Sequence, residues 1–319
     1  MKARFVKGHM GGNTIAVFNR GAISGDFGLE SVVGVLNDEK LACHEAGLVS
    51  QAASSKNLCL AIAGRSSRRW ISACGGLTQV LGHVLARNDL CDFLGFPVLA
   101  LPETVILETE AGPTPIIIRR ESGKVSVWTD MTGFLEELYR DGFEELDLCG
   151  FPVRRIGKFL VIDAKVLRQK YSDNEIETLV PGVRETLTDI QRAFFSNLGR
   201  ESRDFALFDD LPKRGGDFRV VFPHYLPENH IEPACGTGTV AAGVAIILSR
   251  MSAEGKGQKA GTVEMIFESG GGPSLGGPDR TLLRLESFKD LICSAFFSHD
   301  RVEITAMGTV FLSDDAPGR

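Results

Sequence analysis

Two of the seven cysteines stand in the same local sequence. Ala73-Cys74-Gly75 and Ala234-Cys235-Gly236 are each followed by a threonine four residues after the cysteine, Thr78 and Thr239, and by a glycine eight after it, Gly82 and Gly243. Positions four and eight apart stack on one stripe of a helix. Beyond the threonine both segments are almost wholly apolar, so each predicts a helix that is hydrophobic on every side and lies inside its domain. A cysteine at the start of such a helix faces unpaired N–H groups and the positive end of the dipole, which favour thiolate. The same N–H groups, on Gly75 and Gly76 in one copy and on Gly236, Thr237 and Gly238 in the other, can hold a carboxylate. A thiolate accepts a proton and a thiol delivers one. Two such helix starts predict a two-base proton-transfer site with Cys74 and Cys235 as its acid–base pair.

The two cysteines are 161 positions apart in a chain of 319 residues, about half its length, which predicts two similar domains that each donate one element. The elements around them read as many short strands joined by Gly-rich turns. Arg4–Val6 and Ile15–Phe18 flank the link His9-Met10-Gly11-Gly12-Asn13. Leu58–Ile62 and Trp70–Ala73 form a hairpin, and Val98–Leu101, Thr104–Leu107, Pro115–Arg119 and Val125–Trp128 are β-branched runs. Glu136–Tyr139 and Asn174–Leu179 are weaker helical stretches, and Asn197–Asp204 reads as a surface loop. Phe218–Phe222 is a strand ended by Pro223, and Gly270–Pro278 a turn between strands Val263–Phe267 and Thr281–Leu285. The expected class is α+β, with the first domain over 1–132 plus 308–319 and the second over 133–307.

Composition narrows the function. With 43% hydrophobic and 24% charged residues and a net charge of −6 without long single-sign blocks, the chain reads as soluble, with no nucleic-acid footprint and no membrane-surface patch. No run approaches the ~20 apolar residues of a membrane span. Seven scattered cysteines without Cys-x-x-Cys spacing, behind an N-terminus that lacks a signal-peptide pattern, suit a reducing cytoplasm. No metal-ligand set is evident, and Gly270–Pro278 lacks the Lys-Ser/Thr of a phosphate loop. The remaining cysteines, Cys43, Cys59, Cys91, Cys149 and Cys293, read as inert packing. His9, His224 and His230 are each able to orient a substrate, against the commoner reading of a lone loop histidine as solvated, and His230 is kept as a site candidate. Glu232, three residues before Cys235, is suited to hydrogen-bond an amino group. Of Arg65, Arg68 and Arg69, at most one of the last two can face a substrate, because neighbours on a strand point to opposite faces.

These motifs resemble the diaminopimelate epimerase and proline racemase superfamily of cofactor-independent isomerases. Pro233-Ala234-Cys235-Gly236-Thr237-Gly238-Thr239 is similar to that superfamily's second cysteine motif nearly letter for letter. Ala73-Cys74-Gly75-Gly76 resembles the first, with Gly76 in place of its usual Asn or His. Lys7–Asn13 resembles the N-terminal strand and turn whose asparagine, here Asn13, contacts substrate. Arg155–Ala164 and Val302–Phe311 resemble the strands that open the second half and close the chain.

The resemblance implies two pseudo-symmetric domains, each a β-barrel-like sheet around a central helix. It implies a racemase or epimerase acting at the α-carbon of an amino acid or related carboxylate, without cofactor or metal, and leaves a homodimer open. The Glu-Arg pair that diaminopimelate epimerases carry ahead of the second cysteine has no counterpart in obvious register, which weakens the case for diaminopimelate itself. The alternatives are an allylic isomerase of a di- or tricarboxylate, of a branch that mostly lacks the second cysteine, and a non-catalytic carboxylate-binding or thiol-redox protein.

Overall fold

The computed structural model describes residues 2–23, 27–39, 41–52, 57–65, 67–198, 204–224, 230–254, 261–269, 279–288 and 291–311. Contacts divide the chain into one unit of Met1–Gly133 with Ser298–Arg319 and a second of Phe134–Phe297.

The first unit opens with β1 (Lys2–Met10), β2 (Asn13–Asn19), α1 (Leu29–Asn37), β3 (Glu45–Gln51), β4 (Leu58–Gly64) and β5 (Arg69–Ile71). It continues with α2 (Gly75–Leu85), α3 (Asn88–Leu94), β6 (Glu103–Thr109), β7 (Gly112–Glu121) and β8 (Lys124–Asp130). After α4 (Thr132–Asp141), the second unit runs β9 (Phe143–Leu148), β10 (Phe151–Ile156), β11 (Phe159–Asp163), α5 (Ala164–Leu167), α6 (Asp173–Thr178) and α7 (Pro181–Leu198). Then follow β12 (Asp204–Asp209), β13 (Phe218–His224), β14 (His230–Glu232), α8 (Gly236–Glu254), β15 (Gly261–Ser269), β16 (Asp279–Phe288) and β17 (Leu291–His299). The last strand, β18 (Val302–Phe311), belongs to the first unit and pairs antiparallel with β1 along its length. The expected return at 308 therefore falls inside β18, and the contacts place it at Ser298.

Strand pairing shows the duplication. In the first unit β18–β1–β2 is antiparallel, β2 runs parallel to β3, β3–β4–β5 is antiparallel, β4 runs parallel to β6, and β6–β7–β8 is antiparallel. The second repeats it: β9–β10–β11 antiparallel, β11 parallel to β12, β12–β13–β14 antiparallel, β13 parallel to β15, and β15–β16 antiparallel. The register makes residues twins, with Glu45 matching Asp204, Gly64 matching His224, and Ile71 matching Glu232.

The cores explain the helices. Every residue of α2 except His83 is buried, and α2 touches β1, β2, β3, β7, β8 and β18, so the first sheet wraps it. In α8, Val240–Ile247 is buried, against β10, β11, β12, β13 and β16. The twin glycines make room: a Cβ on Gly82 would sit 2.6 Å from a Val127 methyl, and one on Gly243 would collide with Leu283. The outer faces are covered by α1 in the first unit and by α6 and α7 in the second.

Several expectations change. Val98–Leu101 forms no strand; it is bracketed by Pro97 and Pro102, which remove donors at both ends. Pro223 continues β13 instead of ending it, since its fixed φ is compatible with an extended backbone. An unexpected eighteen-residue helix, α7, buries Val183, Leu187, Ile190 and Phe194 at helical spacing. Gly270–Pro278 and most of the expected loop Asn197–Asp204 lie outside the described residues; Asp204 itself opens β12.

Candidate active site

Each cysteine caps its helix in the same way. Cys74 is the N-cap of α2 with an extended backbone, and its Sγ accepts the Leu77 N–H at 3.2 Å. Cys235 precedes α8, and its Sγ accepts the Gly238 N–H at 3.4 Å and lies 3.3 Å from Thr237 Oγ1. A sulfur thus takes the place that serine or aspartate holds at ordinary helix starts. The stripe threonines tie the first turn inward, Thr78 Oγ1 donating to Gly75 C=O at 2.8 Å and Thr239 Oγ1 to Cys235 C=O at 2.7 Å. The amides of Gly75 and Gly76, and of Gly236 and Thr237, are the first two of their helices and have no intrahelical acceptor. Asn13 reaches the first helix start: its Nδ2 is 3.6 Å from where a Cβ on Gly76 would be. Gly238 has to be glycine, because a Cβ there would sit 2.6 Å from the Phe222 ring.

A carboxylate stands beside each thiol, and the two carboxylates come from different strands. Cys74 Sγ donates to Glu45 Oε2 at 2.6 Å, from the first residue of β3. Near Cys235, three residues before it at the end of β14, stands Glu232, whose charge acts on the thiol. Behind Glu232 the chain of contacts continues. His224 Nε2 is 2.9 Å from Glu232 Oε2, and His224 Nδ1 is 3.3 Å from Asp204 Oδ1. Burial alone would lower the basicity of His224, but the flanking carboxylates outweigh it and hold the ring well above the usual histidine range. Burial, reinforced by the Glu232 charge, pushes the Cys235 thiol well above its usual value. The helix start acts in the expected direction, through the Thr237 hydroxyl and the Gly238 N–H, and is outweighed. Cys235 is therefore a thiol at neutral pH, where the helix-start argument alone expected thiolate.

Other candidates sort by place. His9 is buried, not solvated: its Nδ1 accepts the Gly12 N–H at 3.3 Å and its Nε2 lies 3.5 Å from Glu303. His224 is likewise half-buried between acids. His230 is opposite His224 in the β13–β14 register. Arg68 pairs at the surface with Glu30, and Arg69 is exposed. Burial pushes Cys43 and Cys91 to about 11. The contacts of Glu45, Asp204 and His224 were not expected from the sequence. The available signal was a lone acid at the start of an apolar run, as at Glu45-Ala46-Gly47-Leu48-Val49. Among the described residues, no cluster of three or more His, Cys, Asp or Glu could hold a metal ion, and no helix is long and apolar enough to cross a membrane.

No family model and no curated protein matches the sequence. Solved structures match over almost the whole chain. A PhzF-family phenazine biosynthesis protein of Bacillus anthracis superposes with a TM-score of 0.59 at 13% identity, covering 98% of this chain and 100% of its own. A hydroxyproline epimerase of Agrobacterium vitis, with bound trans-4-hydroxy-L-proline, gives 0.59 at 15% identity over 98% and 93%. A methylitaconate-delta-isomerase gives 0.57 at 10% identity over 100% and 99%. At these identities the likeness establishes the fold: the chain has the two-domain α+β architecture of the proline racemase and PhzF-family structures.

Proposed function

We propose that this protein is an isomerase, a racemase or epimerase that moves a proton at the α-carbon of an amino acid or related small carboxylate. The observation that carries the reading is the repeated half-site: a cysteine capping a buried helix with a carboxylate in its surroundings, once in each unit.

In this reading one cysteine takes the α-proton while the other delivers one, and each neighbouring carboxylate accepts or returns the thiol proton between turnovers. The helix-start amides of Gly75, Gly76, Gly236 and Thr237 bind the substrate carboxylate, where the charge of the carbanion develops, while the Gly238 N–H stays on the Cys235 sulfur. Asn13 adds a donor at the first helix start. The chemistry calls on no pyridoxal phosphate and no metal, and two working thiols suit a reducing, cytoplasmic setting. Fold neighbours that include a hydroxyproline epimerase, a proline racemase and a methylitaconate isomerase support the isomerase class.

The test is a screen in D₂O across amino acids and small di- and tricarboxylates, read by proton NMR. The expected result is wash-out of the α-hydrogen with inversion for one substrate group, catalysed by protein purified without added cofactor. Exchange that persists unchanged in both Cys74→Ala and Cys235→Ala would overturn the reading.

A further inference from the structure

We propose that His224 is a positioning residue: clamped between Asp204 and Glu232, it holds the Glu232 carboxylate against the Cys235 thiol. The inference rests on Cys235 being an acid–base group of the proposed reaction, and it assigns a task to residues that reading leaves unused.

Strand register carries the argument. Extending the β12–β13 pairs Leu207–Val221, Phe208–Val220 and Asp209–Arg219 sets Asp204 opposite His224. On the other side of β13, Phe222 stands opposite Glu232. Three side chains from three adjacent strands thus converge, with His224 Nε2 2.9 Å from Glu232 and Nδ1 3.3 Å from Asp204. A ring that contacts a carboxylate through each nitrogen donates through both, which makes it an imidazolium. Its positive charge pairs with the Glu232 carboxylate and holds it in place three residues before Cys235.

The first unit has no such clamp at the same place. The twin of His224 is Gly64, the twin of Glu232 is Ile71, and the acid on Cys74 is instead Glu45, twin of Asp204. One half-site places its carboxylate directly on the thiol, and the other places it through a histidine. Among the described residues, the charged and titratable groups against His224 are Asp204 on β12 and Glu232 on β14, with Cys235 behind Glu232; His230 stands opposite in the β14 register.

The test reads the thiol, not turnover, so a failed substrate search and a failed clamp are separate results. Iodoacetamide labels the protein at pH 8, and peptide mass spectrometry follows Cys235 and Cys74 individually. Freeing Glu232 should remove its charge contribution to the raised Cys235 thiol, a drop that leaves the larger part that burial causes. Each unit of that drop multiplies the thiolate tenfold while cutting its nucleophilicity, a net gain of roughly threefold. His224→Ala and Glu232→Gln are each expected to speed Cys235 labelling roughly three- to tenfold, with the double variant no faster than either. His224→Gln, whose amide can still donate to Glu232, is expected to restore most of the wild-type rate. Cys74 should label at its wild-type rate throughout, which reports that the variants fold. Ring-nitrogen NMR of the intact protein should find His224 doubly protonated at pH 7.5. A neutral ring at that pH overturns the proposal. So does His224→Ala labelling at the wild-type rate while Glu232→Gln accelerates, or effects of the two that multiply.

Discussion

Replacing Glu45 by glutamine separates two properties of Cys74 that ordinarily move together. The Glu45 carboxylate is 2.6 Å from the Cys74 sulfur, which is only 8% exposed as a residue. Two full negative charges at that distance would repel by about 6 kcal/mol at an effective dielectric constant of 20. The pair therefore holds one proton between them at neutral pH, and the carboxylate is both a penalty on the thiolate and the place its proton goes. Glutamine keeps the size and a hydrogen-bonding oxygen but cannot accept a proton. Labelling of Cys74 by a small alkylating reagent should rise, about threefold to fourfold if a quarter of the repulsion is relieved, since the extra thiolate is also less nucleophilic. Isomerisation should fall by roughly 10²–10⁴-fold, the usual contribution of a positioned acid–base group. The assay is site-resolved alkylation beside α-hydrogen exchange in D₂O, with Cys235 labelling as the internal control. A variant in which reactivity and turnover fall together would show that Glu45 only supports the structure. One in which neither changes would refute the coupling outright.

Further outcomes follow from the same geometry. Cys74→Ala and Cys235→Ala should each abolish racemisation. With a substrate bearing a β-leaving group, each should keep elimination from one enantiomer and lose it from the other, because elimination needs only the base facing the α-hydrogen; chiral chromatography of the residual substrate decides this. His299 is buried and held near 4 by burial, so its folded-state value lies below its unfolded one. Stability from the neutral ring is full above about 6.5 and is lost as pH falls toward 4, by up to about 3 kcal/mol. Melting curves from pH 7.5 to 4.5 should therefore be flatter for His299→Asn, whose side-chain oxygen can still accept the Arg301 N–H. Gly82→Ala should cost roughly 1–3 kcal/mol by denaturant unfolding, since its new methyl would meet Val127 at 2.6 Å.

What could be read from the sequence and what could not divide along a physical line. The cysteine helices were legible because everything that defines them is local. A cap, a threonine one turn on and a glycine two turns on recur at fixed spacing, and the all-apolar helix that follows has no place but the interior. Strands flanking obvious turns were legible for the same reason. Asn13 was found through its motif, and the structure does bring its amide to Gly76. The acids were not legible, because they reach the thiols through strand register. Glu45 lies 29 residues from Cys74, and its one local signal, an acid opening an apolar run, is shared by any acid at a strand start. Histidines read one at a time looked solvated. His224 became significant only once β12 and β14 stood on either side of it.

That division has a consequence for how the duplicated halves diverge. Both units keep the helix cap, whose geometry depends on a short stretch of chain and on glycines that cannot take a side chain without collision. The acid beside the thiol is set by three strands, and a position on any of them can supply it. In the first unit it comes from β3, as Glu45; in the second it comes from β14, as Glu232, while the β12 twin of Glu45 is Asp204, one step further back behind a histidine. The constrained element keeps its Ala-Cys-Gly start, threonine and glycine at the same spacing, and the unconstrained one is solved twice. Two thiols that look equivalent in sequence therefore sit in unequal electrostatic surroundings. The Cys74 thiol donates to a carboxylate directly, while burial, reinforced by the charge of a histidine-backed carboxylate, keeps Cys235 a thiol. For the proposed two-base reaction, that inequality means the two thiols give up their protons in different surroundings.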